Sequence, residues 1–305
     1  MLTIFANVVL PVFLVAGLGY LLKRRLDVPV PPLNQTVLYV LMPAFIFTSL
    51  LPVDFRSEEP LRITAFAFLL ALVMLLIGFA VARAARLDRP TANALALTAA
   101  LPNLGNYGLS VVLLAFGQPG LAAGTLLLAV QMLYGLALAV FVASSGSAPL
   151  GRALAEVLRQ PVIYAVAAAL ALNLTGIAPP QFVMSALALP SQAAIPVMLI
   201  VLGMNVATTS GVERPGLVAL ATFVRLVVGT LVGWLLAVAL GIEGVARDVM
   251  VVGAAMPTAV FTILTATQFD ARPKFVSDVV VVSTLASILT VTAVLALLSG
   301  TLGPV

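Results

Sequence analysis

The feature that most constrains the fold of this chain is a series of long apolar runs, each close to the length that crosses a lipid bilayer. Short segments between the runs hold most of the charged residues. An α-helix needs about 20 apolar residues to cross the hydrocarbon core of a membrane. Only 9% of the 305 residues are charged, whereas a soluble domain carries roughly a quarter. The sequence therefore predicts an all-α integral membrane protein.

Two residue types that carry much of enzyme chemistry are missing from the chain. Cysteine and histidine are both absent, which excludes disulfides, thiolate nucleophiles, histidine bases and most zinc sites. The apolar runs contain no pair of carboxylates at one depth. Basic residues lie in short loops rather than along a stripe, so nothing indicates nucleic-acid binding. We expect neither an enzyme nor a metal site nor a cofactor.

The positions of lysine and arginine predict the number and direction of the membrane spans. The ten predicted spans are residues 3–22, 33–51, 62–82, 91–116, 120–143, 161–177, 181–207, 216–240, 247–268 and 276–298. Segments after odd-numbered spans hold eleven Lys and Arg residues, and segments after even-numbered spans hold three. Basic loops favour the cytoplasmic side. This bias predicts a multi-pass protein of the inner (plasma) membrane with both termini in the periplasm. The basic cluster at 23–25 follows the first run, so that run is not read as a cleaved signal peptide.

The chain divides into two halves of five predicted helices. Residues 1–143 form the first repeat, 144–160 a cytoplasmic linker with a short amphipathic helix, and 161–305 the second repeat. Because five is odd, the second half enters the membrane inverted relative to the first. Prolines support a duplication, since Pro43 and Pro196 are 153 residues apart and Pro102 and Pro257 are 155 apart. The sequence therefore predicts two inverted five-helix repeats.

Two of the predicted helices contain helix-breaking residues in the middle of their spans. Helix four contains Leu-Pro-Asn-Leu-Gly-Asn-Tyr-Gly at 101–108, and helix nine contains Ala-Ala-Met-Pro-Thr-Ala at 254–259. Proline removes a backbone donor and clashes with the preceding turn, and glycine weakens a helix further. Inverted repeats with paired interruptions are typical of secondary transporters, whose site lies near the membrane midplane. We therefore predict that helices 4 and 9 are broken and cross at their prolines; a pair of merely kinked packing helices is the alternative.

The polarity of these breaks favours a negatively charged ligand. Each break creates a helix N-terminus with free N–H groups and a partial positive charge. Two such ends would hold a carboxylate without a basic side chain. The candidate binding residues at the breaks are Pro102, Asn103, Gly105, Asn106, Met256, Pro257, Thr258 and Thr262. Gln131, Asn205 and Ser283 are further candidates, although single polar residues in spans commonly form interhelical hydrogen bonds.

The motifs along the chain resemble those of the auxin efflux carrier family, in particular its bacterial organic-acid permease branch, which is related to the plant PIN carriers. The resemblance rests on four segments: Leu33-Asn34…Pro43, Leu101-Pro102-Asn103…Gly108, Ile195-Pro196…Leu202-Gly203 and Met256-Pro257-Thr258…Ser283-Thr284. It implies ten helices in inverted repeats, with helices four and nine crossing at the substrate site. It also implies substrate contact by Asn103 and adds Asn34 to the candidates. The plant pattern lacks a second asparagine, so a role for Asn106 follows from its position alone.

The predicted function is secondary transport of a small organic anion, a carboxylate, by alternating access. A sodium-coupled organic-anion symporter of the bile-acid type and a passive uniporter or channel are the alternatives. A symporter of that type uses an acidic residue in a broken helix, and neither break contains one. A coupling ion, Na⁺ or H⁺, stays unassigned. The expected partners are the lipid bilayer and a small organic acid, and a homodimer is left open.

Arg225, Asp248 and Asp278 are charged residues inside the predicted spans. Arg225 lies in helix eight, about 12 Å from its cytoplasmic end at 1.5 Å per residue. Either it reaches the membrane interface, or it faces a cytoplasmic vestibule and attracts anions. Asp248 and Asp278 lie at the starts of helices nine and ten, where interfacial positions or the positive end of the helix dipole explain them.

Overall fold

In the computed structural model, residues 1–143, 158–209, 211–268 and 270–298 are described. Within these ranges the regular elements are all helical, and one isolated β-bridge joins Pro102 to Thr258. The predicted all-α fold is confirmed for this part of the chain. The predicted amphipathic linker helix falls mainly on 144–157, outside the described residues.

Seven helices in the described residues are long and apolar enough to cross a membrane. They are α1 (Leu2–Leu26), α2 (Val30–Leu50), α3 (Glu59–Ala84), α5 (Leu104–Gly135), α7 (Gln181–Ala207), α8 (Pro215–Ala239) and α11 (Pro273–Leu297). Four shorter helices are α4 (Arg89–Ala100), α6 (Pro161–Thr175), α9 (Gly244–Ala254) and α10 (Phe261–Gln268). Apart from a break at Gly117, the backbone of α5 stays helical to Ala143.

The seven long helices are fewer than the ten predicted spans because some predicted spans are interrupted or short. Predicted span 247–268 is divided between α9 and α10 by an extended segment, and α6 has only 15 residues. Predicted spans 91–116 and 120–143 are covered by α4 and the long α5. The number of ten spans therefore stays a prediction.

Helix α5 is bent back on itself at Gly117. This residue has φ 63° and ψ −154°, a backbone conformation that glycine adopts far more readily than other residues. A Cβ placed on Gly124 would lie 3.2 Å from the Val112 side chain. In a straight helix these two residues would be about 18 Å apart. The segments before and after Gly117 therefore pack side by side as a hairpin.

Small residues allow two pairs of helices to pack with their backbones in contact. A Cβ on Gly19 of α1 would overlap the carbonyl oxygen of Ile200 in α7, and one on Gly203 of α7 would overlap that of Ala16 in α1. A Cβ on Gly78 of α3 would lie 2.6 Å from the Ala96 Cα in α4. Close approach at small residues is the usual way in which membrane helices associate. Helices α1, α2, α6 and α7 pack mainly on one another, and α3 packs on α4, α5 and α8.

Two carboxylates near helix starts are buried. Asp248 and Asp278 lie close to the starts of α9 and α11, as the sequence predicts, and both are fully buried. The Asp248 carboxylate lies 3.1 Å from Arg247 Nε. The Asp278 carboxylate pairs with Lys274 and accepts a hydrogen bond of 2.9 Å from the Glu213 N–H. Both side chains are satisfied by neighbouring groups, which makes their burial tolerable.

Candidate functional site

The two helix breaks lie against each other and pair through their backbones. Helix α4 ends at Ala100, and Leu101 is extended with φ −111° and ψ 97°. The Asn103 N–H donates to the Pro257 carbonyl at 2.7 Å, and the Ala259 N–H donates to the Leu101 carbonyl at 2.9 Å. Polar backbone groups in a membrane interior must find partners within the protein. The breaks thus cross at the two prolines, and each supplies the hydrogen bonds that the other lacks.

Side chains from neighbouring helices hold the crossing in place. Gln131 Nε2 of α5 donates to the Pro102 carbonyl at 2.8 Å. The Thr258 N–H donates to Ser283 Oγ of α11 at 3.2 Å, and Thr258 Oγ1 donates to the Thr98 carbonyl at 2.9 Å. The first break is therefore tied to α5, and the second break is tied to α11 and α4. Thr262 instead donates to the Ala259 carbonyl at 2.6 Å within its own turn.

The bond from Gln131 makes a testable contribution to stability. In Gln131→Leu the buried Pro102 carbonyl would lose its partner, which costs about 1–3 kcal/mol. We expect a lower melting temperature of the detergent-purified protein. The exposed Gln35 of α2 offers a matched control, and Gln35→Leu is expected to leave the melting temperature unchanged. Equal melting temperatures for the two variants would contradict this assignment.

A cavity of about 150 Å³ lies beside the crossing. Two helix N-termini contribute to its wall, because α5 begins at Leu104 and α10 begins at Phe261 and both residues line it. The Leu104 N–H donates to the Pro102 carbonyl at 3.0 Å, and the Thr262 and Ile263 N–H groups donate to the Ala259 and Val260 carbonyls. These amides are already paired, so the two helix ends act at the cavity through the partial positive charge of a helix N-terminus. No Asp or Glu is among the residues that line this cavity in the described part of the chain.

Two polar side-chain atoms at the cavity have no hydrogen-bond partner. They are Asn103 Nδ2 and Gln131 Oε1, both buried. Asn103 is only 4% exposed, so bulk water does not replace the missing acceptor. A buried amide donor without an acceptor costs free energy that a bound ligand would recover. The wall of the cavity can therefore bind a small group with hydrogen-bond acceptors and negative charge.

The structure brings seven of the predicted site residues to this cavity. The lining residues among the candidates are Asn34, Pro102, Asn103, Gly105, Asn106, Gln131 and Asn205. Five others, Met256, Pro257, Thr258, Thr262 and Ser283, are buried at the crossing without lining the cavity. The Asn205 amide already donates to the Val201 carbonyl of its own helix at 2.8 Å.

Several lining residues were not among the sequence candidates. They include Met42, Thr208, Phe261 and Ser277. Met42 immediately precedes Pro43, so the proline motif of α2 offered a signal for it. Thr208 and Ser277 lie at helix ends, where nothing in their local sequence sets them apart from other hydroxyl residues.

Arg225 occupies neither of its two predicted positions. It is fully buried, near the middle of α8, about 15 Å along the helix from Pro215. An arginine at that depth cannot reach the interface with its side chain. Its two terminal nitrogens instead donate to the carbonyl oxygens of Ala99 in α4 and Ala254 in α9. The interfacial and the vestibule positions are therefore both wrong.

An ion pair joins the loops that precede α4 and α11. Arg272 Nη2 lies 2.9 Å from Asp88 Oδ2, and Thr91 Oγ1 donates to Asp88 Oδ1 at 2.7 Å. The hydrogen bonds from Thr91 and Arg272 stabilise the carboxylate and lower the pKa of Asp88 from 3.8 to about 2. Asp88 therefore stays charged at any physiological pH.

Comparisons with known proteins agree with this architecture. A family model described as membrane transport protein matches residues 4–148 and 148–295. The chain is also 28% identical over 290 residues to an uncharacterized transporter of Methanothermobacter thermautotrophicus, an alignment that covers 92% of this chain and 94% of that protein. These findings indicate a transporter and not an enzyme. The predicted family is confirmed: the chain belongs to the membrane transport proteins of the auxin efflux carrier family and is a multi-pass membrane protein.

Proposed function

We propose that this transporter carries a small organic anion, a carboxylate, by alternating access, with its binding site at the cavity beside the crossing. The observation that carries the proposal is the side-chain amide of Asn103. It is buried, its Nδ2 atom has no hydrogen-bond partner, and it lies next to the N-termini of α5 and α10. Three sources of hydrogen-bond donors or positive potential meet there, and none of the described residues that line the cavity is a carboxylate. A carboxylate has the charge and the acceptors that match this wall.

We further propose ten spans in two inverted five-helix repeats around this site. Three relations between equivalent positions support the repeat. Pro102 and Pro257 are 155 residues apart, as are Ala99 and Ala254, the two acceptors of Arg225. Gln131 and Ser283, which bind the two breaks, are 152 apart. The antiparallel backbone pairing of the breaks is also what a two-fold relation between the halves would produce.

The orientation that we propose places the inner membrane around the protein, with both termini in the periplasm and the basic loops in the cytoplasm. In that orientation the cavity extends toward the cytoplasm. Asn34, Thr208 and Ser277 line it, and each lies close to a helix end that adjoins a basic loop. This arrangement corresponds to the inward-facing state of an alternating-access carrier.

A second cavity supports access from the opposite side. It has a volume of about 530 Å³ and polar lining residues that include Thr48, Ser49, Gln118 and Gln192. Ser49 lies at the far end of α2 from Asn34. Because the paired breaks and their packed neighbours are buried, we propose that the two cavities are exposed in turn and do not form one open channel.

Uptake into liposomes containing the purified protein tests this function. We expect saturable uptake of a dicarboxylate such as succinate or an aromatic monocarboxylate such as benzoate, and faster uptake when the liposomes are preloaded with the same anion. Uptake that needs a sodium gradient would favour the symporter alternative. Uptake that neither saturates nor is accelerated by preloading would favour a channel, and saturable, accelerated uptake that needs no ion gradient would favour a passive uniporter. If no member of a broad carboxylate panel is taken up, the proposed substrate class is wrong.

A further inference from the structure

Arg225 is a buried cation that binds both broken helices at once. Its Nη1 donates to the Ala99 carbonyl and its Nη2 to the Ala254 carbonyl. Ala99 lies in the last turn of α4, and Ala254 is the last residue of α9. The side chain is fully buried. A single guanidinium from α8 therefore holds the ends of the two half-helices that lead into the crossing.

The charge of Arg225 is not neutralised by an acidic partner. Among the described residues, no Asp or Glu lies within ion-pair distance of it, and both of its acceptors are neutral carbonyls. Helix C-termini carry a partial negative charge and unpaired carbonyls, which explains how a cation is tolerated there. These partial charges reduce the field of the guanidinium but do not remove its unit charge.

The surrounding helix leaves space for the guanidinium. Gly229 lies one turn after Arg225, and a Cβ at this position would be 2.6 Å from Arg225 Nη2. A larger residue would displace the side chain from its two acceptors. An ionised side chain within a membrane is costly, and such residues usually serve the transported solute or ion. A buried charge that costs free energy, in a space that Gly229 keeps open for it, indicates a role for Arg225 beyond packing.

We propose that Arg225 is the positioning residue that gives the crossing its preference for anions. This inference rests on the organic-anion function proposed above and deepens it. The guanidinium fixes the relative position of α4 and α9, and its charge adds to the positive potential of the two helix N-termini at the cavity. Ala99 precedes Asn103 by four residues, so the charge lies on the order of 10 Å from the Asn103 amide. At an effective dielectric constant of about 20, a unit charge at that distance changes the affinity for a monoanion roughly tenfold.

The experiment compares a carboxylate with its neutral carboxamide. Binding of succinate, succinamide, benzoate and benzamide is measured by calorimetry on the full-length purified protein, for wild type, Arg225→Lys and Arg225→Gln. We expect wild type to bind the carboxylates at least about tenfold more tightly than the carboxamides. Arg225→Gln is expected to lose that preference by weakening carboxylate binding alone. Arg225→Lys retains the charge and is expected to retain most of the preference.

Three outcomes would overturn the proposal. One is an Arg225→Gln protein that keeps the wild-type preference for carboxylates, in which case the proposed function stands and Arg225 has no part in selectivity. Another is equal weakening of carboxylate and carboxamide binding in both variants together with a lower melting temperature, which is the signature of a purely structural arginine. The third is a wild-type protein that binds carboxylates and carboxamides equally, or binds no carboxylate. That result is measured on the wild-type protein alone, so it does not depend on whether the variants fold. It would refute the anion function as well.

Discussion

Replacement of Asn103 with alanine is expected to reduce carboxylate uptake roughly 10- to 100-fold while the protein stays folded. The side-chain amide of Asn103 is buried, and its Nδ2 atom has no acceptor among the described residues of the protein. A hydrogen bond to a charged group contributes about 1.5–3 kcal/mol, and each 1.4 kcal/mol corresponds to a factor of ten. Because the Nδ2 atom binds nothing within the protein, its removal costs little stability. Uptake into liposomes and melting temperature in detergent measure the two effects.

Two further variants test whether the substrate is an anion and whether the effect is specific to the side-chain amide of Asn103. Asn103→Asp keeps the shape but adds a negative charge, and we expect it to abolish carboxylate uptake. Asn205→Ala removes a lining amide that already bonds within its own helix, so its effect on uptake is expected to be small. Unchanged uptake in Asn103→Ala would move the site away from the crossing. Undiminished uptake in Asn103→Asp would contradict an anionic substrate.

The second large effect, a loss of stability, is expected when the close contact between α1 and α7 is disturbed. A Cβ at Gly19 or Gly203 would overlap a backbone carbonyl of the other helix, so Gly19→Ala or Gly203→Ala forces the helices apart. Overpacking of this kind costs about 1–3 kcal/mol and occasionally more. The contact is between backbones, which cannot move aside as a flexible side chain can. We therefore expect a cost at or above that range, and the double variant Gly19→Ala/Gly203→Ala is expected to yield little folded protein.

Gly17 provides the matched control, because it lies on the same helix as Gly19. A Cβ at Gly17 meets nothing within 4 Å. Gly17→Ala should therefore stabilise α1 slightly, since alanine favours a helix over glycine by about 1 kcal/mol. Size-exclusion profiles and melting temperatures of the purified variants make the comparison. If Gly17→Ala and Gly203→Ala behave alike, the close contact between α1 and α7 does not exist in the folded protein.

The sequence was sufficient to locate the breaks and the family because these features depend on local chemistry. Proline is disfavoured in the interior of a helix, and the spacing of Pro102 and Pro257 was visible without a structure. Asn103 could be proposed because it adjoins such a break. Apolar length and basic loops likewise identify a multi-pass membrane protein from composition alone.

The roles of other residues depend on contacts between distant parts of the chain. Arg225 is separated by more than 120 residues from Ala99, so no local pattern could show that its side chain reaches α4. Met256, Thr258 and Ser283 lie in the predicted motifs, but the structure uses them to build the crossing and not the cavity wall. Thr208 and Ser277 reach the cavity only because α7 ends and α11 begins beside it. Sequence position alone cannot distinguish a lining residue from a supporting one.

The backbone pairing between the two breaks limits how the protein can change shape. The bonds from Asn103 to Pro257 and from Ala259 to Leu101 form a short two-stranded ladder between buried residues, and polar backbone groups in a membrane interior depend on such partners. Sliding α4 past α9 would break this ladder. It would also break the two hydrogen bonds from Arg225 to the carbonyls of Ala99 and Ala254. We therefore expect any motion that exposes the cavity to the other side of the membrane to move both breaks together as one rigid unit.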